Sequence, residues 1–330
     1  MKIFITGATG YIGNNLTKRL ANEGHTIHAL CRSAEKSSLL DHPNIKIFSG
    51  DITNEISIRE AMRDCVHVYH LAAYARVWAK DPSTFYRLNV GGTRNVLNAA
   101  KELGIKDIVA TSTAGVLGPS KDKPVKEDDE RIGDILNEYE ETKTQAEVIC
   151  KEYCNKYAMR IVMVNPPRVY GPGLESESNA VTRLVKLYIK GKWKIIPGDG
   201  KRTGSYVHVD DVVNGHILAM QKGRGGERYI LSGVNASYTE FFDTLARVNG
   251  KKVILFRVPV WLMMVAGYGM MVYANITGKS PLLTPKWIRK YLYDWSLDCS
   301  KAKRELGYTY RSLEQGLQET IEWLRQNNNH

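Results

Sequence analysis

The chain has 330 residues, 43% hydrophobic and 25% charged, the balance of a soluble globular protein with one large or two ordinary domains. Its five cysteines, Cys31, Cys65, Cys150, Cys154 and Cys299, are odd in number and lack a Cys-x-x-Cys pair, which argues against a disulfide framework and a zinc site, and no metal is expected. The net charge of +11 would suit nucleic acid, an anionic membrane or anionic small molecules, but basic residues read as scattered among acids, densest at Lys286 to Lys290 and Lys301 to Arg304. No aromatic-interleaved basic stripe appears, so nucleic acid is set aside and a solvated surface is expected. The chain opens into a strand without a basic and apolar leader, and a cytoplasmic location is the default expectation.

The first predicted strand, Ile3-Phe4-Ile5, meets the turn Thr6-Gly7-Ala8-Thr9-Gly10-Tyr11-Ile12-Gly13 and then a helical pattern to about Asn22. Gly7 permits a tight turn, Gly10 lets backbone amides approach a pyrophosphate, and Gly13 brings the helix close to its strand. A dinucleotide phosphate would sit at this helix N-terminus, with Thr9, Tyr11 and Ile12 in the cradle. Past the second strand, where an acid would bond a ribose 2′-hydroxyl, stands Cys31-Arg32-Ser33. Arg32 there favours NADP over NAD.

A third strand, Ile45 to Phe48, leads to Asp51 and Ile52 near the adenine, where Asp51 either accepts from the adenine amine or caps the next helix. The fourth, Val66 to Leu71, ends in Ala72 and Ala73, small enough beside Leu71 to leave space for ribose and nicotinamide. His70 reads as a packed, hydrogen-bonded residue rather than a base. Asn89 to Leu103 is helical and Asp107 to Ser112 a fifth strand. Five strands alternating with helices predict an α/β fold with a doubly wound parallel sheet of the Rossmann kind, and such sheets bind ligands beyond the carboxyl ends of their strands.

Ser112 and Thr113 end the fifth strand, and 26 residues after Thr113 comes Tyr139, followed four residues on by Lys143. That spacing puts Tyr139 and Lys143 on one helix face. Asn137 is placed to cap this helix, with Glu140 in a capping-box position. A tyrosine pKa of about 10 is too high for a base at neutral pH, but a neighbouring ammonium would favour the phenolate. Thr113, with Ser112 as fallback, would bond the substrate oxygen while Tyr139 moves its proton.

With these pieces together the chain resembles an extended short-chain dehydrogenase/reductase, the group of NAD-dependent epimerases and dehydratases. The resemblance runs through Thr6 to Gly13, Gly50 to Ile52, His70 to Ala73, Asn89 to Thr93, the Thr113/Tyr139/Lys143 set, Pro166 to Gly173 and Val207 to Asp211. The most similar branches are dihydroflavonol reductase-like, 3β-hydroxysteroid dehydrogenase-like and hopanoid-associated epimerase-like. The resemblance implies a catalytic hydroxyl at Thr113 where serine is usual, Lys143 and Pro166 among the cofactor-binding residues, and a homodimer formed through helices near Asn95 to Leu103 and Tyr139 to Tyr157.

Relatives acting on nucleotide sugars resemble one another in an arginine gripping the diphosphate where this chain has Gly204. Residues 258–278 carry no formal charge. Three readings stand: a buried helix, a methionine-lined lid over an apolar substrate, or an interfacial helix making peripheral membrane contact. The expected function is reduction of a carbonyl, or oxidation of the matching secondary alcohol, on a hydrophobic small molecule. Nucleotide-sugar epimerisation or dehydration is the alternative, and a non-catalytic nucleotide sensor would need the acid/base set to be broken. The dinucleotide-binding portion is placed at 1–165 and 205–222, and a smaller, mostly helical substrate portion at 166–204 and 223–330.

Overall fold

A computed structural model describes residues 1–174 and 179–327. Strands β1 (Lys2–Thr6), β2 (Thr26–Cys31), β3 (Ile45–Ser49), β4 (His67–His70), β5 (Asp107–Thr111) and β6 (Arg160–Asn165) alternate with helices. Then come β7 (Arg168–Tyr170), β8 (Ile195–Pro197), β9 (Thr203–His208), β10 (Arg228–Ile230), β11 (Val234–Ser237) and β12 (Phe256–Val258). The main sheet is parallel in the order β10-β6-β5-β4-β1-β2-β3, so the predicted doubly wound α/β fold is present.

β1 is central because both its faces are covered. Ile3 and Ile5 point into one core, with the Tyr11–Asn22 and Val209–Lys222 helices, while Phe4 points into the other, with the Glu55–Met62 and Gly92–Glu102 helices. Alternate residues of a strand face opposite ways, so a strand buried on both sides is an unbroken apolar run. β1 pairs with both β2 and β4, which makes the end of β1 the switch point of the sheet, where a crevice opens beyond the carboxyl edge.

A third core, including Tyr170, Tyr206, Phe241 and Leu317, lies under the sheet β11-β9-β7 and the helices Tyr238–Asn249 and Leu313–Asn327. The portions expected from sequence shift in three places. β10 joins the main sheet beside β6, although residues 223–330 were assigned to the substrate side, and β9 belongs to the smaller sheet. The Ser300–Leu306 helix packs Ala302 and Leu306 into a main-sheet core. A three-residue strand carries too little pattern to announce which sheet it completes.

The uncharged stretch forms the Val260–Thr277 helix, in which only Gly267 and Ala274 are buried. The buried-helix reading is therefore overturned, because uniform apolarity cannot say which side faces inward.

Candidate active site

The glycine turn takes the shape its residues allow. Gly7 has φ +76°, and a Cβ on it would lie 2.6 Å from Ala72 N; a Cβ on Gly13 would lie 2.1 Å from Gly7 O. The Tyr11–Asn22 helix starts with Gly10 at its cap, without a side chain bonded over the cap and without an acid in the first turn. Open amides at the positive end of a helix dipole fit the pyrophosphate of a nicotinamide dinucleotide. Thr9 lies in the turn itself and Ile12 in the first turn of the helix, while Tyr11 is buried and donates to Gly171 O at 2.9 Å, tying the turn to the loop after β7.

Along the same edge the other predicted residues follow their strands. Arg32 directly follows β2 as an exposed side chain, with its Nε 3.6 Å from Asp51 Oδ2 just past β3. Asp51 Oδ1 accepts from Thr53 N and Oγ1, both at 2.8 Å, and the helix that follows is capped by Asn54, so the capping alternative for Asp51 falls away. Ile52 is buried against Gly92. Leu71, Ala72 and Ala73 follow β4, facing Gly7, and Pro166 is buried after β6.

His70 is a packed residue, as expected. Thr93 Oγ1 donates to Asn89 O at 2.6 Å, so it accepts from His70 Nε2 at 3.1 Å; Thr6 Oγ1 then donates to His70 Nδ1 at 2.7 Å. Burial, helped by the Lys143 charge, pulls its pKa down to about 3, so the ring is neutral.

The acid/base set gathers at the ends of β5 and β6. Asn137 caps the Glu138–Tyr157 helix, accepting from Glu140 N at 3.0 Å, and Tyr139 and Lys143 project from its first turns. The Tyr139 phenol lies beside the Thr113 side chain, and its ring stacks on Trp287 with centroids 6.5 Å apart. Burial pushes the phenol up to about 12; the Thr113 hydroxyl works against that rise and the Glu140 carboxylate adds to it.

Lys143 lies one helical turn from Tyr139 on the same helix. Its ammonium donates to Thr111 O at 2.7 Å, and burial lowers its pKa. Ser112 Oγ is buried without a hydrogen-bond partner and shares a small cavity with Lys143 and His70, so among the two hydroxyls Thr113 is the one that meets Tyr139.

The contacts of several residues at the site carried no readable signal in the sequence. Asn165 Nδ2 donates to Thr113 O at 3.1 Å and to Glu147 Oε1 at 2.7 Å, tying the catalytic strand end to the catalytic helix. Asn89 Oδ1 accepts from Tyr74 N at 2.7 Å and its Nδ2 donates to Thr142 Oγ1 at 2.9 Å, holding the loop after β4 against that helix. Glu140 does not complete a capping box. Its buried carboxylate accepts from Arg131 at 3.0 Å and Lys290 at 2.6 Å, which draws residues 284–293 over Tyr139. Two of the basic residues expected to be solvated are therefore structural, since Lys286 likewise pairs with Glu138.

Arg168, at the start of β7, donates from Nη1 to Tyr206 Oη at 3.0 Å and from Nη2 to Tyr238 Oη at 2.9 Å, over the faces of both rings. The described residues pair it with no carboxylate. A Cβ on Gly204 would lie 1.8 Å from Arg168 Nη1, so the guanidinium fills the space that a side chain at 204 would need. Sequence inspection of 204 alone missed this cation, because it arrives from another strand.

The comparisons agree with this geometry. A putative dihydroflavonol 4-reductase of Synechocystis sp. is 28% identical over 98% of this chain and 94% of its own length. A decarboxylating sterol-4-alpha-carboxylate 3-dehydrogenase of Saccharomyces cerevisiae is 27% identical over 98% of this chain and 97% of its own. A UDP-glucuronic acid 4-epimerase from Bacillus cereus, solved in complex with UDP-glucuronic acid and NAD, superposes with a TM-score of 0.79 at 26% identity, covering 99% of this chain and 100% of that one. The family model described as "NAD dependent epimerase/dehydratase family" matches residues 3–232, and the chain belongs to that family of nicotinamide-dependent enzymes.

Proposed function

We propose that this enzyme reduces a carbonyl, or oxidises the matching secondary alcohol, on a hydrophobic small molecule, with NADP as its cofactor. The observation that carries the reading is the Tyr139 phenol set beside the Thr113 hydroxyl at the carboxyl edge of the sheet, with Lys143 one helical turn on. Bound nicotinamide supplies or accepts the hydride. Tyr139 holds the proton destined for the substrate oxygen, and Thr113, already accepting from Gly115 N at 3.2 Å, has its hydroxyl hydrogen left to orient that oxygen. Lys143, anchored on Thr111 O, presents its remaining N–H donors toward the ribose. Arg32 is the group that receives the 2′-phosphate.

An apolar substrate is supported by the aromatic wall at Trp287 and by the substrates named for the flavonol and sterol relatives. A second reading, epimerisation or dehydration of a nucleotide-linked sugar with the same Thr113, Tyr139 and Lys143, is favoured by one observation: the cation Arg168 over Gly204, paired with no carboxylate among the described residues and suited to a phosphate or carboxylate. The test is NADPH oxidation with a panel of apolar ketones, with and without a carboxylate, beside chromatographic product analysis of UDP- and dTDP-sugars, whose epimerisation or dehydration consumes no net NADPH. Turnover of ketones supports the first reading. Turnover of sugar nucleotides alone, with cofactor retained through purification, replaces it with the second.

A further inference from the structure

The Val260–Thr277 helix has no polar face. Gly267 and Ala274, two turns apart, press one side onto the body, Gly267 against Ile288 and Pro285. The other side carries Trp261, Val265, Tyr268, Val272 and Ile276 at steps of three and four, each more than half exposed, with Ile276 at 79%. Beside it, exposed Phe256 of β12 and Ile195 of β8 extend the apolar area, because those strands pair in register. Monomeric proteins rarely leave so much contiguous apolar surface without a partner.

Charge identifies the partner. Residues 251–293 hold seven lysines and arginines and no acid, and residues 179–198 hold five and no acid. The β8–β12 pairing brings the two stretches together. These twelve exceed the whole chain's net charge of +11, since the other 34 basic residues meet 35 acids. The positive charge is thus concentrated around the apolar helix rather than scattered. Within these two stretches Lys192, Lys194, Lys251, Lys252 and Lys279 are exposed.

We infer that this helix and its basic border form a docking surface for an anionic lipid bilayer, with the helix lying in the plane of the headgroups. An apolar face that reaches the acyl boundary, aromatic rings suited to the interface and a lysine rim facing anionic lipid are what such a helix needs. Its composition and length also satisfy a membrane span. Spanning is ruled out by its ends: β12 anchors the start on β8, and residues 284–293, which pack over Tyr139, anchor the finish on the same body. Eighteen residues rise about 27 Å, so both ends cannot remain on one body if the helix crosses a core about 30 Å thick. A second copy of the chain is disfavoured as occupant, because two such basic rims would face each other.

The test is co-sedimentation of the full chain with phosphatidylcholine vesicles and with equimolar phosphatidylcholine/phosphatidylglycerol vesicles. At least tenfold more protein is expected to pellet with the anionic vesicles, with release in 0.5 M salt. The V265E/V272E variant, which touches nothing at the acid/base set, is expected to stay in the supernatant with its cofactor binding unchanged. A wild-type chain that remains in the supernatant with anionic vesicles overturns the inference. So does a dimer that V265E/V272E converts to monomer, which would assign the surface to a second copy.

Discussion

The Tyr139 phenol lies beside the Thr113 hydroxyl, a juxtaposition of the first turn of one helix and the loop after β5. If these two groups share the work on the substrate oxygen, removing either oxygen should slow the chemical step and spare cofactor binding. Tyr139→Phe is expected to lower kcat by about 10² or more, with the cofactor Kd from fluorescence titration unchanged. Thr113→Ala should lose activity too, while Thr113→Ser recovers most of it. Full turnover by Tyr139→Phe would remove the proposed acid/base.

The same phenol sets the pH dependence. In the cofactor-free protein burial pushes Tyr139 up to about 12, so it is protonated and ready to donate at neutral pH. Reduction should therefore be flat through the neutral range. Alcohol oxidation, which needs the phenolate, should rise with pH by about tenfold per unit below the apparent pKa of the complex. Initial rates from pH 6 to 10 in both directions check this, and an oxidation rate that falls with rising pH would contradict it.

Arg32 stands exposed at the end of β2 with Asp51 as its neighbour. Its guanidinium can fork onto a 2′-phosphate, whereas NAD offers only a hydroxyl there. Arg32→Ala should raise Kd for NADPH by about tenfold or more, equivalent to about 1.4 kcal/mol, and change that for NADH by less than threefold. Equal losses for both would place the discriminating group elsewhere.

Three buried histidines make the fold acid-sensitive. Burial holds His70 and His208 down to about 3 and His216 down to about 4, each with further local causes, against an unfolded value of about 6.5. Their folded pKa values lie below the unfolded one, so the unfolded chain binds more protons and stability is lost as pH falls from 6.5 toward 4. Each contributes up to about 1.4 kcal/mol per pH unit in that window. Thermal unfolding followed by circular dichroism should show Tm dropping steadily from pH 7 to pH 4.5, and a flat Tm would count against neutral histidines in the core.

What could be read along the chain was whatever repeats at short range. The glycine spacing from Gly7 to Gly13, the apolar run of β1, the cap at Asn137 and the four-residue step from Tyr139 to Lys143 are local patterns dictated by sterics and helix pitch, and they announced the doubly wound sheet and the catalytic helix. Other features arise between segments remote in the chain. Arg168 fills the gap above Gly204, Lys290 reaches back 150 residues to Glu140, Trp287 lies on Tyr139, and β10 enters the main sheet. Long-range ion pairs and packing leave no periodicity behind. The Val260–Thr277 helix is the sharpest instance: its apolar letters could serve a core or a surface equally, and only the body it rests on determines which side stays open to the outside.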